Sequence, residues 1–352
     1  MPLFDHQEFD GHEEVAFCHD AASGLKAIIA IHNTNLGPSL GGCRMWPYDS
    51  EDEALTDVLR LSKGMTYKSA LAGLSFGGGK TVILGDPRQD KSEALFRALG
   101  RFIESLGGRY ITAEDVGIKV ADVETMGRET DFVAGVPQKG SGDPGPATAF
   151  GVFTGLKAAV RHKLGRDNLS GVGVAIQGLG SVGTRLARHL AAEGAALTVS
   201  DIDAKAVERA VDELGALAVA PDAIYDSTAE VFAPCALGGV INDETLARLK
   251  ARIVAGSANN QLAEPRHGEA LMRAGILYAP DYAINAGGII NISHEGPDYD
   301  QAKAFAHVAR IGETLEEIFR LAEARRVTTA TAADEIAERR FRGSAQHPTV
   351  AA

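Results

Sequence analysis

Short apolar runs alternate with amphipathic stretches in the first 140 residues, which predicts a mixed α/β region. Residues 14–18 and 25–32 are separated by Ser23-Gly24, and we predict that they form a hairpin. A turn marked by Gly and Pro over residues 36–46 leads into another short strand. The pattern then predicts helices over 51–70, 92–106 and 121–129, with strands over 81–84 and 110–113.

From Thr148 onward, helices and apolar strands alternate regularly, which is typical of a doubly wound parallel sheet. Predicted strands cover residues 173–177, 197–200, 216–219, 231–234, 253–256 and 277–279. Helices are predicted over 148–162, directly after Gly180, over 299–324 and over 330–340. The loop 136–146, rich in Gly and Pro, separates the two patterns and is the best domain boundary.

Length and charge narrow the class of protein. A chain of 352 residues exceeds what one hydrophobic core usually organises, which predicts two domains. The formal charge of −12 argues against a nucleic-acid or anionic-membrane partner, because phosphate binding needs clustered positive charge. Three widely separated cysteines have neither metal-ligand nor disulfide spacing, so we expect no metal site and a reducing compartment. With no signal-peptide pattern and no membrane-length apolar run, we expect a cytoplasmic protein.

A glycine-rich motif between a predicted strand and a predicted helix indicates dinucleotide binding. The helix N-terminus and the exposed amides suit a pyrophosphate, and Asp201, at the end of the next strand, suits the hydroxyls of an adenosine ribose. That carboxylate also disfavours a 2′-phosphate, so we predict NAD as the cofactor. The residues of this motif predicted to contact NAD are Gly178, Leu179, Gly180, Ser181, Val182, Gly183 and Thr184.

A second motif, GMTYKSALAGLSFGGGKT over residues 64–81, places Lys68 and Lys80 among apolar neighbours. Two cations held together in a dry site lower each other's pKa, and a lysine can then act as a base or activate water. Glycines 77–79 allow the backbone to approach a ligand closely. By itself, the stretch fits equally well a glycine-rich turn with two solvated lysines. Asp115, at the end of a predicted strand, is a candidate acid or base.

Two further stretches follow predicted strands of the second half, GSANNQL over residues 256–262 and NAGGIINIS over residues 285–293. We expect both to be loops that face the cleft between the domains. Asn259 and Asn260 are candidate ligand amides, although asparagine is also common in ordinary turns.

Six motifs together resemble the amino-acid dehydrogenases that act on leucine, valine and phenylalanine, over nearly the whole chain. They are TYK…GGGKTVI, ITAEDVG, QGLGSVG, FAPCALGG, IVAGSANNQL and YAPDYAINAGG. The resemblance implies NAD-dependent, reversible oxidative deamination of an L-amino acid to a 2-oxo acid and ammonia, in a homo-oligomer. It also implies the domain plan of this α/β chain. An N-terminal α/β substrate and oligomerisation domain spans residues 1–140, a Rossmann-type dinucleotide-binding domain spans 141–329, and residues 330–352 return to the first.

Residue roles follow from the resemblance by matching motif. It implies that Lys80 is the catalytic lysine, that Asp115 transfers protons and that Lys68 binds the substrate carboxylate. Further implied substrate-binding residues are Leu40, Gly41, Gly42, Met65, Asn260, Ile289 and Ile292. Thr148 matches a contact on the nicotinamide side, and we assign Asn259 to the cofactor.

The substrate side chain is expected to be aliphatic. In the glutamate-specific relatives a lysine pairs with the distal carboxylate, and the resemblance matches that position to Leu40. We therefore expect leucine, valine and isoleucine to be substrates. Three alternatives stay open: a phenylalanine-specific enzyme, a glutamate-specific relative, and a catalytically silent NAD-binding protein.

Overall fold

The computed structural model describes residues 3–343 and divides into two compact units. Within the described residues, unit 1 runs to Gly142 and also takes in Ile292–Tyr299 and residues 337–343, and unit 2 holds the intervening residues. From the sequence, residues 292–299 are predicted to belong to the second domain. In the structure this segment belongs to unit 1, where the Glu295 carboxylate accepts the Gly135 backbone N–H at 3.0 Å.

Unit 1 is built on a mixed sheet. Its strands are β1 (Glu14–Asp20), β2 (Leu25–Asn33), β3 (Ser39–Trp46), β4 (Gly77–Leu84) and β5 (Tyr110–Glu114). Within the described range, they lie in the order β1-β2-β4-β3-β5, with β1, β2 and β4 antiparallel and β4, β3 and β5 parallel. The helices of this unit are α1 (Glu51–Leu71), α2 (Glu93–Ser105) and α3 (Val120–Met126).

Each face of this sheet has its own apolar core. One core packs Ile28, Ala30 and Val82 against Val58 and Leu59 of α1. The core on the other face joins the sheet to α2 and α3 and includes Ile29, Ile83, Leu99, Ile103 and Val123. Alternate residues of β2 therefore enter opposite cores, as the side-chain period of a strand requires.

Strand β4 starts four residues earlier than the sequence predicted, because glycines 77–79 belong to it. A Cβ at Gly77 would lie 1.9 Å from the Asn33 carbonyl oxygen, and one at Gly78 would lie 2.0 Å from the Thr66 backbone nitrogen. No side chain fits at these separations. The glycines therefore serve the close packing of β4 against β2 and α1, and the interpretation as a turn was wrong.

Unit 2 contains a parallel sheet with helices between its strands, which confirms the predicted doubly wound, Rossmann-type fold. Its strands are β6 (Gly173–Gln177), β7 (Ala196–Ser200), β8 (Leu217–Ala218), β9 (Val231–Pro234), β10 (Ile253–Val254) and β11 (Leu277–Tyr278). Among the residues that the structure describes, the strand order is β11-β10-β9-β6-β7-β8. The order reverses between β6 and β9, and ligands bind at such a switch point, beyond the carboxyl ends of the strands.

The remaining helices start in unit 2. They are α4 (Gly145–Leu164), α5 (Ser181–Ala192), α6 (Ala204–Leu214), α7 (Asp243–Arg248), α8 (Arg266–Arg273), α9 (Asp281–Ile284), α10 (Gly287–Ser293), α11 (Gln301–Ala309), α12 (Ile311–Arg325) and α13 (Thr329–Gly343). The last turns of α13 belong to unit 1, and residues 344–352 lie outside the described range. Across residues 3–343, no helix combines the length and the apolar character that a bilayer span requires.

Two predictions for this half were wrong. Most of the segment 285–293 is helical rather than a loop, since α10 occupies residues 287–293 and a turn of only two residues separates it from α9. The long helix predicted over 299–324 is divided into α11 and α12 at Arg310. The Arg310 backbone has a ψ of −9°, and its N–H bonds to the His307 carbonyl oxygen, so the chain turns tightly there.

Candidate active site

Lys80, which is buried, and Asp115, which is partly exposed, form an ion pair in unit 1. Lys80 lies within β4 and is only 5% exposed, and its Nζ lies 2.6 Å from Asp115 Oδ2 just after β5. Burial alone would raise the pKa of Asp115, but the charges of Lys80 and Arg44 outweigh it and hold that pKa below its usual range. Asp115 is therefore a carboxylate at neutral pH and can accept a proton.

Gly41 and Gly42 bring β3 directly alongside this pair. A Cβ at Gly41 would lie 1.8 Å from the Gly79 carbonyl oxygen and 3.3 Å from Met65 Cγ. One at Gly42 would lie 2.9 Å from the Cβ of Asp115. Both positions therefore exclude any larger residue, and the backbone of β3 forms a side-chain-free wall next to the acid.

Tyr110 holds the backbone of this wall in place through a hydrogen bond. Nothing in the sequence predicted that role. The buried Tyr110 hydroxyl donates to the Gly41 carbonyl oxygen at 2.7 Å and accepts from Thr81 Oγ1 at 3.0 Å. A Cβ at Gly79 would lie 2.7 Å from the Tyr110 ring, which explains the third glycine of the GGGKT motif. A tyrosine at the start of an apolar strand gave no signal for this role, because buried tyrosines are common in strands.

Helix α1 carries Met65 and, in its last turn, the half-buried Lys68. The C-terminal helix α13 fixes this end of α1 within unit 1. The Arg340 guanidinium donates to the carbonyl oxygens of Ala70 and Leu71 at 3.1 and 2.8 Å, so it satisfies carbonyls that a helix end leaves unpaired. The mutual effect of Lys68 and Lys80 on proton binding stays a prediction.

Leu40 and Ile292, two of the predicted substrate residues, line one cavity of about 510 Å³ in unit 1. Its other lining residues are Phe76, Ile111, Asp131, Phe132, Val133, Ala134, Gln138, Lys139, Ser293, Glu295, Gly296 and Pro297. Lys80 and Asp115 do not line it, but Leu40 immediately precedes the glycine pair beside Asp115. The Lys139 ammonium donates to the carbonyl oxygens of Asp131 and Val133, at 3.0 and 2.6 Å.

In unit 2, the predicted glycine motif joins β6 to α5, and its three glycines have different roles. Gly178 has a φ of +98°, and a Cβ at Gly183 would lie 2.0 Å from the Gly178 carbonyl oxygen, so the fold itself needs these two glycines. A Cβ at Gly180, the N-cap of α5, would meet no described heavy atom within 4 Å. Open space above a helix N-terminus fits a phosphate group.

Asp201 follows β7 and lies against this motif. Its carboxylate accepts the backbone N–H of Leu179 and, at 2.8 Å, that of Asp203. The Thr184 hydroxyl donates to the Leu179 carbonyl oxygen at 2.6 Å. The motif is therefore held in one conformation by side chains at both of its ends.

The other predicted residues of unit 2 lie near the NAGG segment. The Thr148 hydroxyl donates to the Pro144 carbonyl oxygen at 2.9 Å, and a Cβ at Gly288 would lie 2.9 Å from that hydroxyl. Asn259 Oδ1 accepts from Asn285 Nδ2 at 2.6 Å, whereas Asn285 Oδ1 is buried with no hydrogen-bond partner among the described residues. Asn259 and Asn260 are both exposed, Asn260 with a φ of 51°, and Ile289 is partly exposed in α10.

Comparisons with known proteins agree with this geometry. Residues 12–132 match the family described as Glu/Leu/Phe/Val dehydrogenase, dimerisation domain. Residues 140–338 match the family described as Glutamate/Leucine/Phenylalanine/Valine dehydrogenase. These two matches cover both the lysine stretch with Asp115 and the glycine motif with Asp201.

Individual relatives cover almost the full length. The chain is 56% identical to the leucine dehydrogenase of Geobacillus stearothermophilus, over 97% of this chain and 94% of that protein. It is 51% identical to the phenylalanine dehydrogenase of Caldalkalibacillus thermarum, over 98% and 95% of the two chains. Among solved structures, the L-tryptophan dehydrogenase of Nostoc punctiforme superimposes with a TM-score of 0.85 at 48% identity, covering 95% of this chain and 97% of that one.

Proposed function

This chain belongs to the Glu/Leu/Phe/Val dehydrogenase family, and we propose that its substrates are branched-chain aliphatic L-amino acids, with leucine preferred. The reaction converts the amino acid, NAD⁺ and water into the 2-oxo acid, ammonium, NADH and a proton. As a member of the family, the chain is an amino-acid dehydrogenase. The observation that carries the chemistry is the ion pair of buried Lys80 with Asp115 beside the Gly41-Gly42 wall, and the proposed aliphatic substrates rest on the cavity lined by Leu40 and Ile292.

In this proposal, three side chains of unit 1 have separate roles in substrate binding and catalysis. Lys68 binds the substrate carboxylate through its ammonium group. Asp115, ionised at neutral pH, accepts a proton from the substrate ammonium, because Cα can release its hydride only when the nitrogen carries a lone pair. Lys80 then positions and activates the water that attacks the imine carbon, and Asp115 returns a proton to the departing ammonia.

The glycine motif of unit 2 would hold the dinucleotide. A bound nicotinamide would supply the acceptor for the hydride that leaves the substrate Cα. The open space at Gly180 and the α5 N-terminus suit its pyrophosphate. Asp201 follows the strand next to this motif, where a carboxylate accepts ribose hydroxyls and repels a 2′-phosphate, so we propose NAD in preference to NADP.

The cavity lined by Leu40 and Ile292 supports an aliphatic side chain. A second substrate carboxylate there would meet the Glu295 carboxylate, while the Lys139 ammonium is held by two backbone carbonyls. Burying a carboxylate without a partner is costly, which disfavours glutamate. One methylene changes binding by only ~1–3 kcal/mol, so we expect modest discrimination among leucine, valine and isoleucine.

We also propose that the protein is a homo-oligomer, since the family matched by residues 12–132 is described as a dimerisation domain. Light scattering at several protein concentrations measures the subunit number. A mass equal to the 37.0 kDa of one chain at all concentrations would contradict the proposal.

The decisive experiment compares kcat/KM for leucine, valine, isoleucine, phenylalanine and glutamate, followed by the absorbance of NADH. Leucine should be best, the other two aliphatic substrates close behind, and glutamate inert. If glutamate is preferred, the apolar-pocket argument is wrong. If phenylalanine is preferred, only the estimate of pocket size is wrong. Turnover of no amino acid by a protein that still binds NADH would favour a silent dinucleotide-binding protein.

A further inference from the structure

Arg44 connects the acid of the candidate site to a second carboxylate. It lies in β3, two residues beyond Gly42, and its Nε donates to Asp115 Oδ2 at 3.2 Å. The guanidinium also donates to both carboxylate oxygens of Asp57 in α1, at 2.9 and 3.2 Å. A guanidinium can hold two partners in fixed directions in this way, because its donors form a rigid planar fork.

Tyr48 ends this chain of side chains. Its hydroxyl donates to Asp57 Oδ2 at 2.6 Å. Burial and the neighbouring Asp57 raise the pKa of Tyr48, so the tyrosine stays protonated and remains a donor. Positive and negative charges therefore alternate from Lys80 through Asp115 and Arg44 to Asp57. The neutral Tyr48 hydroxyl is the last group of this network.

The contacts of Arg44 exceed what a structural link between β3 and α1 would need. Asp57 alone offers both of its oxygens to the guanidinium, yet Nε also reaches Asp115. It contacts Oδ2, the same oxygen that Lys80 contacts, so two cations converge on one carboxylate oxygen. The side chains of Arg44, Asp57 and Asp115 are each about a quarter exposed, so water screens these charges only in part.

We propose that Arg44 is a positioning residue for Asp115, which it holds ionised and in one orientation, and that Asp57 limits how much of the Arg44 charge acts on that carboxylate. This inference rests on the proposed function, in which Asp115 exchanges protons with the substrate nitrogen. A proton carrier must be neither too weak nor too strong a base at the working pH. Arg44 and Asp57 change the basicity of Asp115 in opposite directions, so together they set it.

The groups that act on Asp115 come from several elements. They are Lys80 of β4, Arg44 and Cys43 of β3, Tyr110 of β5, Asp57 of α1, and Tyr48. Burial raises the pKa of Cys43 and of Tyr110, so both stay neutral near neutral pH. Among these groups, the charges that can tune Asp115 are therefore those of Lys80, Arg44 and Asp57.

The test measures the pH dependence of kcat/KM for leucine in Arg44→Met and Asp57→Asn. Loss of Arg44 removes a cation from Asp115, so the acidic limb of the profile should move up by about one pH unit, since such a neighbour typically lowers a carboxyl pKa by 1–3. Loss of Asp57 leaves the Arg44 charge uncompensated, so the limb should move down. Arg44→Lys should return the acidic limb toward its wild-type position, because the positive charge is restored. It should not restore the full wild-type kcat/KM, because lysine lacks the rigid planar donors of the guanidinium.

Arg97→Met is the matched control. Arg97 lies on α2, is about half exposed and pairs with Glu129, so its loss removes an arginine–carboxylate contact away from this network. The acidic limb of its kcat/KM profile should lie at the same pH as that of the wild type. Melting temperature and NADH binding, measured for every variant, show whether each protein is folded.

Two results would overturn the inference. One is an acidic limb that moves in the same direction in Arg44→Met and Asp57→Asn, and the other is a limb that stays in place while only stability falls. Carbon-13 NMR of labelled aspartate, with Asp115→Asn to identify the resonance, gives the same comparison without turnover. If the pKa of Asp115 shifts in opposite directions in Arg44→Met and Asp57→Asn but the protein turns over no amino acid, the proposed function is refuted and the inference about Arg44 and Asp57 stands.

Discussion

A buried pair of histidines should make the fold of unit 1 sensitive to acid. The rings of His12 and His32 lie 4.9 Å apart between centroids, and both residues are buried. His32 Nδ1 lies 2.8 Å from Thr66 Oγ1, and His12 Nε2 lies 3.1 Å from Ser62 Oγ on the same helix, α1. A proton on either ring would place a buried charge beside the other ring, and the Asp10 carboxylate, 3.8 Å from His32 Nε2, offsets only part of that cost.

The magnitude follows from His32. Burial, reinforced by the neighbouring His12, lowers the pKa of His32 to about 4, from 6.5 in an unfolded chain. Because the folded state binds this proton more weakly, stability is complete above pH 6.5 and is lost as the pH falls toward 4. At about 1.4 kcal/mol per pH unit, the full loss is about 3 kcal/mol, of which about 2 kcal/mol is lost by about pH 5.

Urea unfolding at about pH 7.5 and about pH 5 measures this loss, by comparing wild type with His32→Asn. The variant starts from a lower stability, but its free energy of unfolding should fall about 2 kcal/mol less between the two pH values than that of the wild type. His19→Asn, the same substitution at an exposed position of β1, should behave like the wild type. An equal fall in wild type and His32→Asn would refute the reasoning.

Three further predictions concern the two binding regions. Lys80→Ala should lower kcat by ~10²–10⁴-fold without weakening NADH binding, and Lys68→Ala should mainly raise the KM for leucine. Steady-state kinetics measure both effects. A raised KM in Lys80→Ala and a lowered kcat in Lys68→Ala would mean that the two roles are exchanged. Asp201→Ala should narrow the preference for NAD over NADP in kcat/KM, and a wild type that uses both equally would contradict its assigned role. Gly180→Ala should weaken NADH binding with little change in melting temperature, whereas Gly183→Ala should lower the melting temperature, because only the second Cβ meets backbone; equal effects on melting would contradict the distinction.

The parts of this protein that sequence could predict are those whose signal is local. The glycine motif lies between a strand and a helix that its own neighbours specify, and the parallel sheet around it was confirmed. The resemblance that rests on the lysine stretch and ITAEDVG was confirmed by the family matches and by relatives of high identity. Individual residue roles at the site stay predictions.

Local sequence patterns gave wrong predictions where the identity of a residue is fixed by a contact with a residue far away in the sequence. Glycines 77–79 have the composition of a turn, but they lie in a strand, and they must be glycine because Asn33, Thr66 and Tyr110 approach too closely for any side chain. Residues 285–293 follow a strand and contain adjacent glycines, yet residues 287–293 form helix α10. Gly287 and Gly288 are needed there because the first turn of α4 packs against them, which no window of sequence around them contains.

Amino-acid sequence alone predicted the fold class, the two-part plan and the class of enzyme, because hydrophobic periodicity and short motifs act over neighbouring residues. Only the tertiary structure decided which charges surround Asp115. Arg44 is separated from Asp115 by 71 residues and from Asp57 by 13, and nothing in the spacing predicts that one guanidinium bridges both. Sheet pairing places β3 beside β5, and packing of α1 on the sheet brings Asp57 to the other side of Arg44. Electrostatic tuning depends on distances of a few ångströms through space, and those distances exist only once the chain has folded.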